Sequence, residues 1–152
     1  MTAGALLDTS CLITLTNRLR ANHAVAEDYY RYMIKNRIPM YVSTIAVAEF
    51  TIRQKLTDLP LHRICLLPFN VLHGIDAGRL GPEIKRETGE ARNVTRDDVK
   101  LLAQAHREQI PIVMTEDRNT LAKWCKQLRE KSLIQVRSVV LNEGFSKDAM
   151  HI

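Results

Sequence analysis

The sequence is poor in cysteine: its three cysteines, Cys11, Cys65 and Cys125, are odd in number and none belongs to a C-x-x-C pair. That argues against a disulfide framework or a zinc ribbon and favours a reducing compartment. No apolar run approaches the roughly 20 residues that a membrane-spanning helix needs. No basic segment precedes the short apolar run before Asp8, so we expect no signal peptide and a cytoplasmic protein.

The sequence also lacks the short motifs of several enzyme classes. It contains no G-x-x-x-x-G-K-[ST], no G-x-S-x-G and no H-E-x-x-H, which leaves P-loop nucleotidases, nucleophile-elbow hydrolases and helical zinc sites unsupported. The five histidines show no metal-binding spacing, and we interpret them as structural or surface residues. A phosphatase with Asp8 as nucleophile is disfavoured, because that chemistry usually shows a second aspartate two residues later, where Ser10 stands.

What the chain does contain is an ordinary globular composition with a basic balance. Its 152 residues are 45% hydrophobic and 26% charged, which predicts one domain over 1–152. We expect the tail after about residue 144 to be loosely held. The net charge of +5 and the pI of about 9.3 are typical of proteins that bind nucleic acid.

Apolar runs and helical patterns alternate along the chain. The patterns predict strands at 2–7, 38–42, 64–71, 110–114 and 134–140, with Pro68 near an edge. They predict helices at 10–20, 24–36, 43 to about 60, 73–88 with breaks, 95 onwards and 119–131, and a loop at 89–94. This alternation predicts an α/β fold, a three-layer α/β/α sandwich with a mostly parallel central sheet.

Local signals refine two of these helices. Ser43 is a natural N-cap for the third helix, and Thr95 and Asp98 have the spacing of a capping box at the start of the fifth. The third helix is predicted to turn one apolar stripe inward, made of Ile45, Ala48, Ile52 and Leu56.

Four acids are predicted to gather at one edge of the sheet. Asp8 and Asp117 follow two buried strands, and ligands of open α/β sheets bind at the carboxyl ends of strands where the strand order reverses. Glu49 and Asp98 lie on or beside the inward stripes of their helices. Clustered carboxylates repel one another, and a Mg²⁺ or Mn²⁺ ion would offset that repulsion and activate a water for phosphodiester cleavage.

Each acid also has a purely structural interpretation. Asp8 and Asp117 could be N-caps of the helices that follow them, and Asp98 could be the acid of the capping box. Glu49 could be a solvated helix residue if the inward face is one position away. The hypothesis of a site therefore depends on all four acids falling where one crevice forms.

Four segments, in this order along the chain, resemble the motifs of the PIN-domain family. Residues 6–13 (LLDTSCLI) match an apolar strand running into D-[TS]-[NS]-x-[LI], and residues 42–49 (VSTIAVAE) resemble its strand and glutamate-bearing helix. Residues 98–105 (DVKLLAQA) resemble D-x-x-[IL]-[AL]-A-x-A, and residues 112–117 (IVMTED) resemble a strand running into T-x-D. Within that family the chain resembles the VapC-like toxins of bacterial and archaeal toxin–antitoxin pairs, which are small, single PIN domains of about this size.

The resemblance implies an endoribonuclease that depends on Mg²⁺ or Mn²⁺, frequently a homodimer, with a small antitoxin protein that blocks its site. It implies metal ligands at Asp8, Glu49, Asp98 and Asp117, with Asp97 competing for the third place. It also implies supporting roles for further polar residues: Thr9 and Ser10 beside the metal, Thr115 orienting Asp117 through its hydroxyl, and Asn119 holding a water.

Basic residues flank these motifs, and Arg96 and Arg118 adjoin acids of the predicted site. They are candidates for binding the phosphates of RNA. Two alternatives to the ribonuclease stay open: a degenerate PIN domain that binds RNA or protein without cleavage, and a plain interaction module. Neither predicts that neutralising the acids abolishes a metal-dependent activity.

Overall fold

The computed structural model describes residues 4–85 and 92–151, and for 92–96 it describes the backbone alone. Strands and helices alternate within these ranges, as the apolar pattern predicts. The strands are β1 (Ala5–Leu7), β2 (Met40–Ser43), β3 (Ile64–Leu67), β4 (Ile112–Thr115) and β5 (Arg137–Val140). The α-helices are α1 (Thr9–Thr16), α2 (His23–Lys35), α3 (Thr44–Phe50), α4 (Val71–Leu80), α5 (Arg92–Arg107) and α6 (Leu121–Glu130).

The strands form one five-stranded sheet in the order β3-β2-β1-β4-β5, and its strand pairings are parallel. The chain builds outward from β1 to β3 and then returns to the other side of β1 with β4. The strand order therefore reverses between β1 and β4, where Ala5 pairs with Ile112 and Leu7 with Met114. Crevices at such reversals are the usual ligand sites of open parallel sheets. The predicted α/β architecture is confirmed.

Helices cover both faces of the sheet, because successive side chains of a strand point to opposite faces. Leu7 and Met114 belong to a buried cluster with residues of α1 and α2, whereas Leu6 and Val113 belong to a second cluster with residues of α5 and α6. Helix α6 shows why such a segment packs: its buried residues recur at helical spacing, namely Leu121, Trp124, Cys125 and Leu128.

Helix α3 is shorter and differently oriented than predicted. Ser43 caps it as expected, since its hydroxyl accepts a hydrogen bond from Ile45 N at 3.1 Å. The helix ends at Phe50 and buries Ala46 and Phe50, whereas the predicted inward residue Ile52 lies beyond it and is 79% exposed. The prediction was wrong because apolar spacing continues into the following turn and does not mark where the backbone leaves the helix.

Helix α5 begins at Arg92, before Thr95, so the predicted helix start at the Thr95–Asp98 capping box is wrong. Residues 92–94 were predicted to be loop, but they contain neither glycine nor proline and continue the helix. The rest of that loop, 89–91, and the end of the preceding helical prediction, 86–88, lie outside the described residues. Helix α4 runs through Gly78 and gives way to a 3₁₀ turn at Gly81–Glu83.

The segment after Gly144 is packed against α2, where we expected a loosely held tail. The ring of Phe145 contacts Tyr29 and Tyr32 edge-on, with centroid distances of 4.9 and 5.9 Å. The Tyr29 hydroxyl donates to Gly144 O and accepts from Ser146 N, both at 3.2 Å. These contacts fasten the end of the chain to the helical layer that covers β1.

Three smaller features concern the sheet edge, the cysteines and the length of the helices. Strand β3 lies at the sheet edge and stops one residue before Pro68. Cys11 and Cys125 are buried, Cys65 is exposed, and none is in a disulfide. None of the helices in the described ranges has the length and apolar character that crossing a bilayer requires.

Candidate active site

Asp8 is the first residue after β1 and is 5% exposed. It caps α1, since Oδ1 accepts hydrogen bonds from Cys11 N at 2.9 Å and from the Ser10 hydroxyl at 2.7 Å. Oδ2 accepts from the Thr115 hydroxyl. The carboxyl is therefore an N-cap, as its structural interpretation predicted, and it also faces the end of β4. Burial raises the pKa of Asp8 to about 6, against the lowering effect of these hydrogen bonds.

Thr115 links the ends of β1 and β4. Its hydroxyl donates to Asp8 Oδ2 and accepts from Asp117 N at 2.8 Å. The hydroxyl thus bonds Asp117, as predicted, through the backbone N–H, and it also bonds the carboxylate of Asp8, which was not predicted. Ser10 makes a parallel link, because its hydroxyl accepts from Glu116 N at 3.0 Å.

Asp117 is held by the backbone that follows it. Its Oδ1 accepts from Asn119 N at 3.0 Å and from Thr120 N at 2.9 Å. Its Oδ2 accepts from the Thr120 hydroxyl, which also lies 2.8 Å from Asp98 Oδ2. Asp98 and Asp117 are thus within reach of one and the same hydroxyl. Thr120 was not predicted, although its position three residues after Asp117 is the spacing at which side chains interact at a helix start.

Asp98 is the member of its pair of neighbouring aspartates that turns to the cluster. Asp97 lies 3.6 Å from Lys100 in an ion pair at the surface. Burial raises the pKa of Asp98 to about 8, and the charges of Asp117, Asp8 and Glu49 raise it as well, while the Thr120 bond lowers it. The choice of Asp98 over Asp97, made from the helical register, agrees with this geometry.

Glu49 stands at the margin of the cluster. It is partly buried on α3, and burial raises its pKa, followed by the charges of Asp97 and Asp8. The Thr9 hydroxyl is close enough to lower that pKa slightly, yet it is buried without a hydrogen-bond partner among the described residues. Glu49 therefore interacts with the aspartates through its charge, and no described contact ties it to them.

The oxygen donors of the cluster are of the kind that a hard divalent cation prefers, but the described acidic side chains are too far apart to hold one as they stand. In the described ranges, no three acidic, histidine or cysteine side chains are gathered closely enough to hold a metal ion as they stand. The available donors are carboxylate and hydroxyl oxygens, which Mg²⁺ and Mn²⁺ prefer. A cation would also favour the charged forms of Asp8 and Asp98, whose pKa burial has raised. The donor atoms present therefore fit such an ion in their chemistry.

Glu116 lies between two residues of the cluster in sequence but faces away from it. Its side chain is 14% exposed and pairs with Arg20 Nη2 at 2.9 Å. Arg20 Nε also donates to the Thr14 hydroxyl at 2.8 Å, and Thr14 in turn donates to Glu116. This brace fastens the loop after β4 to α1. It was not predicted, because no local pattern connects residues so far apart in the chain.

Two of the remaining predicted residues lie at the rim. Arg118 and Asn119 are exposed, and Asn119 contributes its backbone N–H to Asp117. The side chain of Arg96 lies outside the described part of the chain. The structure therefore brings Asp8, Asp98 and Asp117 together with Ser10, Thr115 and Thr120, leaves Glu49 beside them, and leaves Arg118 in solvent.

The fold has counterparts among solved structures. VapBC2 from Rickettsia felis, bound to a DNA fragment from its promoter, aligns with a TM-score of 0.62 and 16% identity over 90% of this chain and 97% of that chain. VapC20 from Mycobacterium tuberculosis, a toxin that cleaves the sarcin–ricin loop, aligns with a TM-score of 0.56 and 16% identity over 88% of this chain and 99% of that chain. A toxin–antitoxin complex from Klebsiella pneumoniae aligns with a TM-score of 0.57 and 19% identity over 78% of this chain and 91% of that chain.

Among curated proteins, none matches the sequence significantly. The PIN domain family model matches residues 5–126, which include the four predicted acids and all strands but the last. The resemblance seen in the four motifs is thereby confirmed, and the chain belongs to the PIN domain family.

Proposed function

We propose that this protein is an endoribonuclease that depends on Mg²⁺ or Mn²⁺, and that it is the toxin of a type II toxin–antitoxin pair. The observation that carries the proposal is the grouping of Asp8, Asp98 and Asp117 where β1 and β4 end, with Glu49 beside them. Burial first, and the neighbouring acidic charges after it, raise the pKa of Asp8 and of Asp98, so the charged, metal-free state of this cluster is unfavourable. A function that uses a cation accounts for it.

Asp8, Asp98, Asp117 and Glu49 would hold the ion, which when bound supplies an activated water and stabilises the charge of the phosphodiester during cleavage. The protein's own part is to orient the ligands beforehand. Ser10 and Thr115 each donate a hydrogen bond to one oxygen of Asp8, so its carboxyl plane is set. Such outer hydrogen bonds keep metal ligands in place and tune their affinity.

RNA is the proposed substrate because the protein as a whole is basic, which favours binding to phosphates, while its acidic cluster could hold the cation that cleavage needs. The net charge is +5, and Arg118 is exposed directly after Asp117. Arg118, together with Arg96, would contact phosphates on either side of the bond to be cut. Specificity for a sequence or a structure would then reside in the surrounding loops.

A small antitoxin and a second copy of the chain are the proposed protein partners. The Klebsiella pneumoniae structure is a toxin–antitoxin complex with the same fold, which supports the first. The surface offers exposed apolar residues on α4 and the edge strand β3, of the kind that partners cover: Leu66, Val71, Leu72 and Ile75. A cytoplasmic location, in keeping with the unpaired cysteines, completes the proposal.

The test is cleavage of a mixed RNA pool by the wild-type protein in Mg²⁺, in Mn²⁺ and in EDTA. Asp98→Asn removes one charge from the cluster at nearly constant volume, and we expect it to abolish cleavage. Asp97→Asn is the matched control, because it makes the same chemical change one position away, at a residue paired with Lys100. We expect Asp97→Asn to keep most of the activity.

The outcomes separate the candidate functions. Cleavage in metal, lost in EDTA and in Asp98→Asn, supports the ribonuclease. Equal cleavage by wild type and Asp98→Asn points to a contaminating nuclease and contradicts the assignment of the site. RNA binding without cleavage, in a protein that binds no Mn²⁺ by calorimetry, favours the degenerate PIN domain instead.

A further inference from the structure

The side chain of Thr120 stands between two carboxylates that come from different parts of the fold. Its Oγ1 lies 2.8 Å from Asp98 Oδ2 and bonds Asp117 Oδ2. Asp98 belongs to α5, and Asp117 to the loop after β4, so these two carboxylates are not held together by local chain geometry. Two carboxylates that contact the same hydroxyl are close enough to repel one another unless a group between them offsets the repulsion.

We propose that Thr120 is a positioning residue whose hydroxyl holds Asp98 and Asp117 in a common orientation for a divalent cation; this inference rests on the proposed function. A hydroxyl has a single proton to donate, so it bonds one of the two carboxylates at a time while it stays within hydrogen-bond distance of the other. Thr120 N also donates to Asp117 Oδ1 at 2.9 Å. Thr120 therefore contacts both oxygens of Asp117 and one oxygen of Asp98.

The other hydroxyls of the cluster serve a different acid. Ser10 and Thr115 both donate to Asp8. Thr120 is the hydroxyl that does for the Asp98–Asp117 pair what these two do for Asp8. If the three hydroxyls act alike, each carboxylate of the aspartate cluster is oriented before a cation arrives, which is how outer hydrogen bonds support metal sites in general.

A simple structural role for this hydroxyl is disfavoured by the geometry of α6. Thr120 occupies the N-cap position of α6 but makes no side-chain hydrogen bond to the helix backbone. Removing the hydroxyl therefore takes no cap from α6, and the loss falls on the two carboxylates. Valine has nearly the shape of threonine and lacks the hydroxyl, so Thr120→Val isolates this contribution.

The experiment is a calorimetric titration of metal-free protein with Mn²⁺ for wild type, Thr120→Val, Thr120→Ser and Thr16→Val. We expect Thr120→Val to bind Mn²⁺ about 10–100-fold more weakly, and Thr120→Ser, which keeps the hydroxyl, to bind as the wild type does. Thr16→Val is the matched control, since the Thr16 hydroxyl bonds Leu12 O within α1, at 2.9 Å. Melting of each variant in EDTA checks folding, and Thr120→Ala replaces the valine variant if that one does not fold.

The measured Mn²⁺ affinities distinguish this inference from the proposed function. Equal Mn²⁺ affinity of Thr120→Val and wild type overturns this inference and leaves the proposed function standing. Affinity lost as fully in Thr120→Ser as in Thr120→Val overturns it too, because the lost methyl group and not the hydroxyl is then responsible. A wild-type protein that binds no Mn²⁺ overturns the proposed function and this inference together.

Discussion

Neutralising Asp98 should stabilise the metal-free protein at alkaline pH. The pKa of this carboxyl is 3.8 in an unfolded chain and about 8 in the folded protein. Between these values the folded state keeps a proton that the unfolded state has lost. The stability that this proton contributes is complete below pH 3.8 and is lost as pH rises through about 8. Asparagine carries no charge at any of these pH values, so Asp98→Asn removes the loss.

The size of the effect follows from the two pKa values. At about 1.4 kcal/mol for each pH unit, the interval from 3.8 to about 8 sets an upper limit of about 5–6 kcal/mol. Asp98 is only partly buried, and solvent screening reduces this limit, so we expect a gain of about 2–4 kcal/mol at pH 8.5. In a protein of this length that gain corresponds to a rise in Tm of roughly 5–15 °C.

The assay is thermal and urea unfolding in EDTA from pH 5 to pH 9 for wild type, Asp98→Asn and Asp97→Asn. Wild type and Asp97→Asn should lose stability as pH rises, while Asp98→Asn should lose much less. Asp8, whose pKa is raised to about 6, adds a smaller loss that ends earlier and is common to all three proteins. If the wild-type curve is flat, or if Asp98→Asn is no more stable than wild type at pH 8.5, the folded protein does not hold Asp98 at a raised pKa, which contradicts the prediction.

Two further predictions concern stability away from the cluster. Asp76 accepts hydrogen bonds from Arg107 at 2.7 and 3.0 Å and from Arg79 at 2.7 Å, and the Arg107 contact holds its pKa below the usual range. Asp76→Asn should lower the free energy of unfolding by about 1–3 kcal/mol in urea at pH 7. The difference between the variant and the wild type should shrink as pH falls below about 4, because stability gained from a lowered pKa is lost as the carboxyl takes up its proton. A difference as large at pH 3 as at pH 7 contradicts this. Trp124 is fully buried, so Trp124→Ala should cost about 3–5 kcal/mol, and a loss under 1 kcal/mol would mean that the core under α6 can collapse around the gap.

The features that could be predicted from the sequence are those that local patterns determine. Asp8 and Asp117 follow apolar strands, and parallel strands end at one edge of a sheet, so their convergence needed only that β1 and β4 be neighbours. Helical register was enough to prefer Asp98 to Asp97. The alternation of strands and helices was enough for the architecture, because it leaves few ways of covering a parallel sheet.

The features that could not be predicted depend on contacts between distant residues or on where the backbone turns. Arg20 and Glu116 are 96 positions apart, and nothing local marks them as partners. The end of α3 at Phe50 and the helical backbone already present at Arg92 could not be read from apolar spacing, which does not record where a helix starts or stops. Thr120 was missed because a threonine beside a predicted helix start suggests a cap, whereas here its hydroxyl faces two carboxylates.

The pairing of β1 with β4 also determines when the acidic cluster can exist. Asp8 and the hydroxyl that orients it come from positions 107 residues apart. During synthesis, the first strand leaves the ribosome long before its partner Ile112–Thr115 has been made. Under the proposed function, a nascent chain would thus carry no assembled nuclease site next to the RNA of the machinery that makes it. Activity would begin only when the chain has emerged beyond β4 and both strands are free to pair.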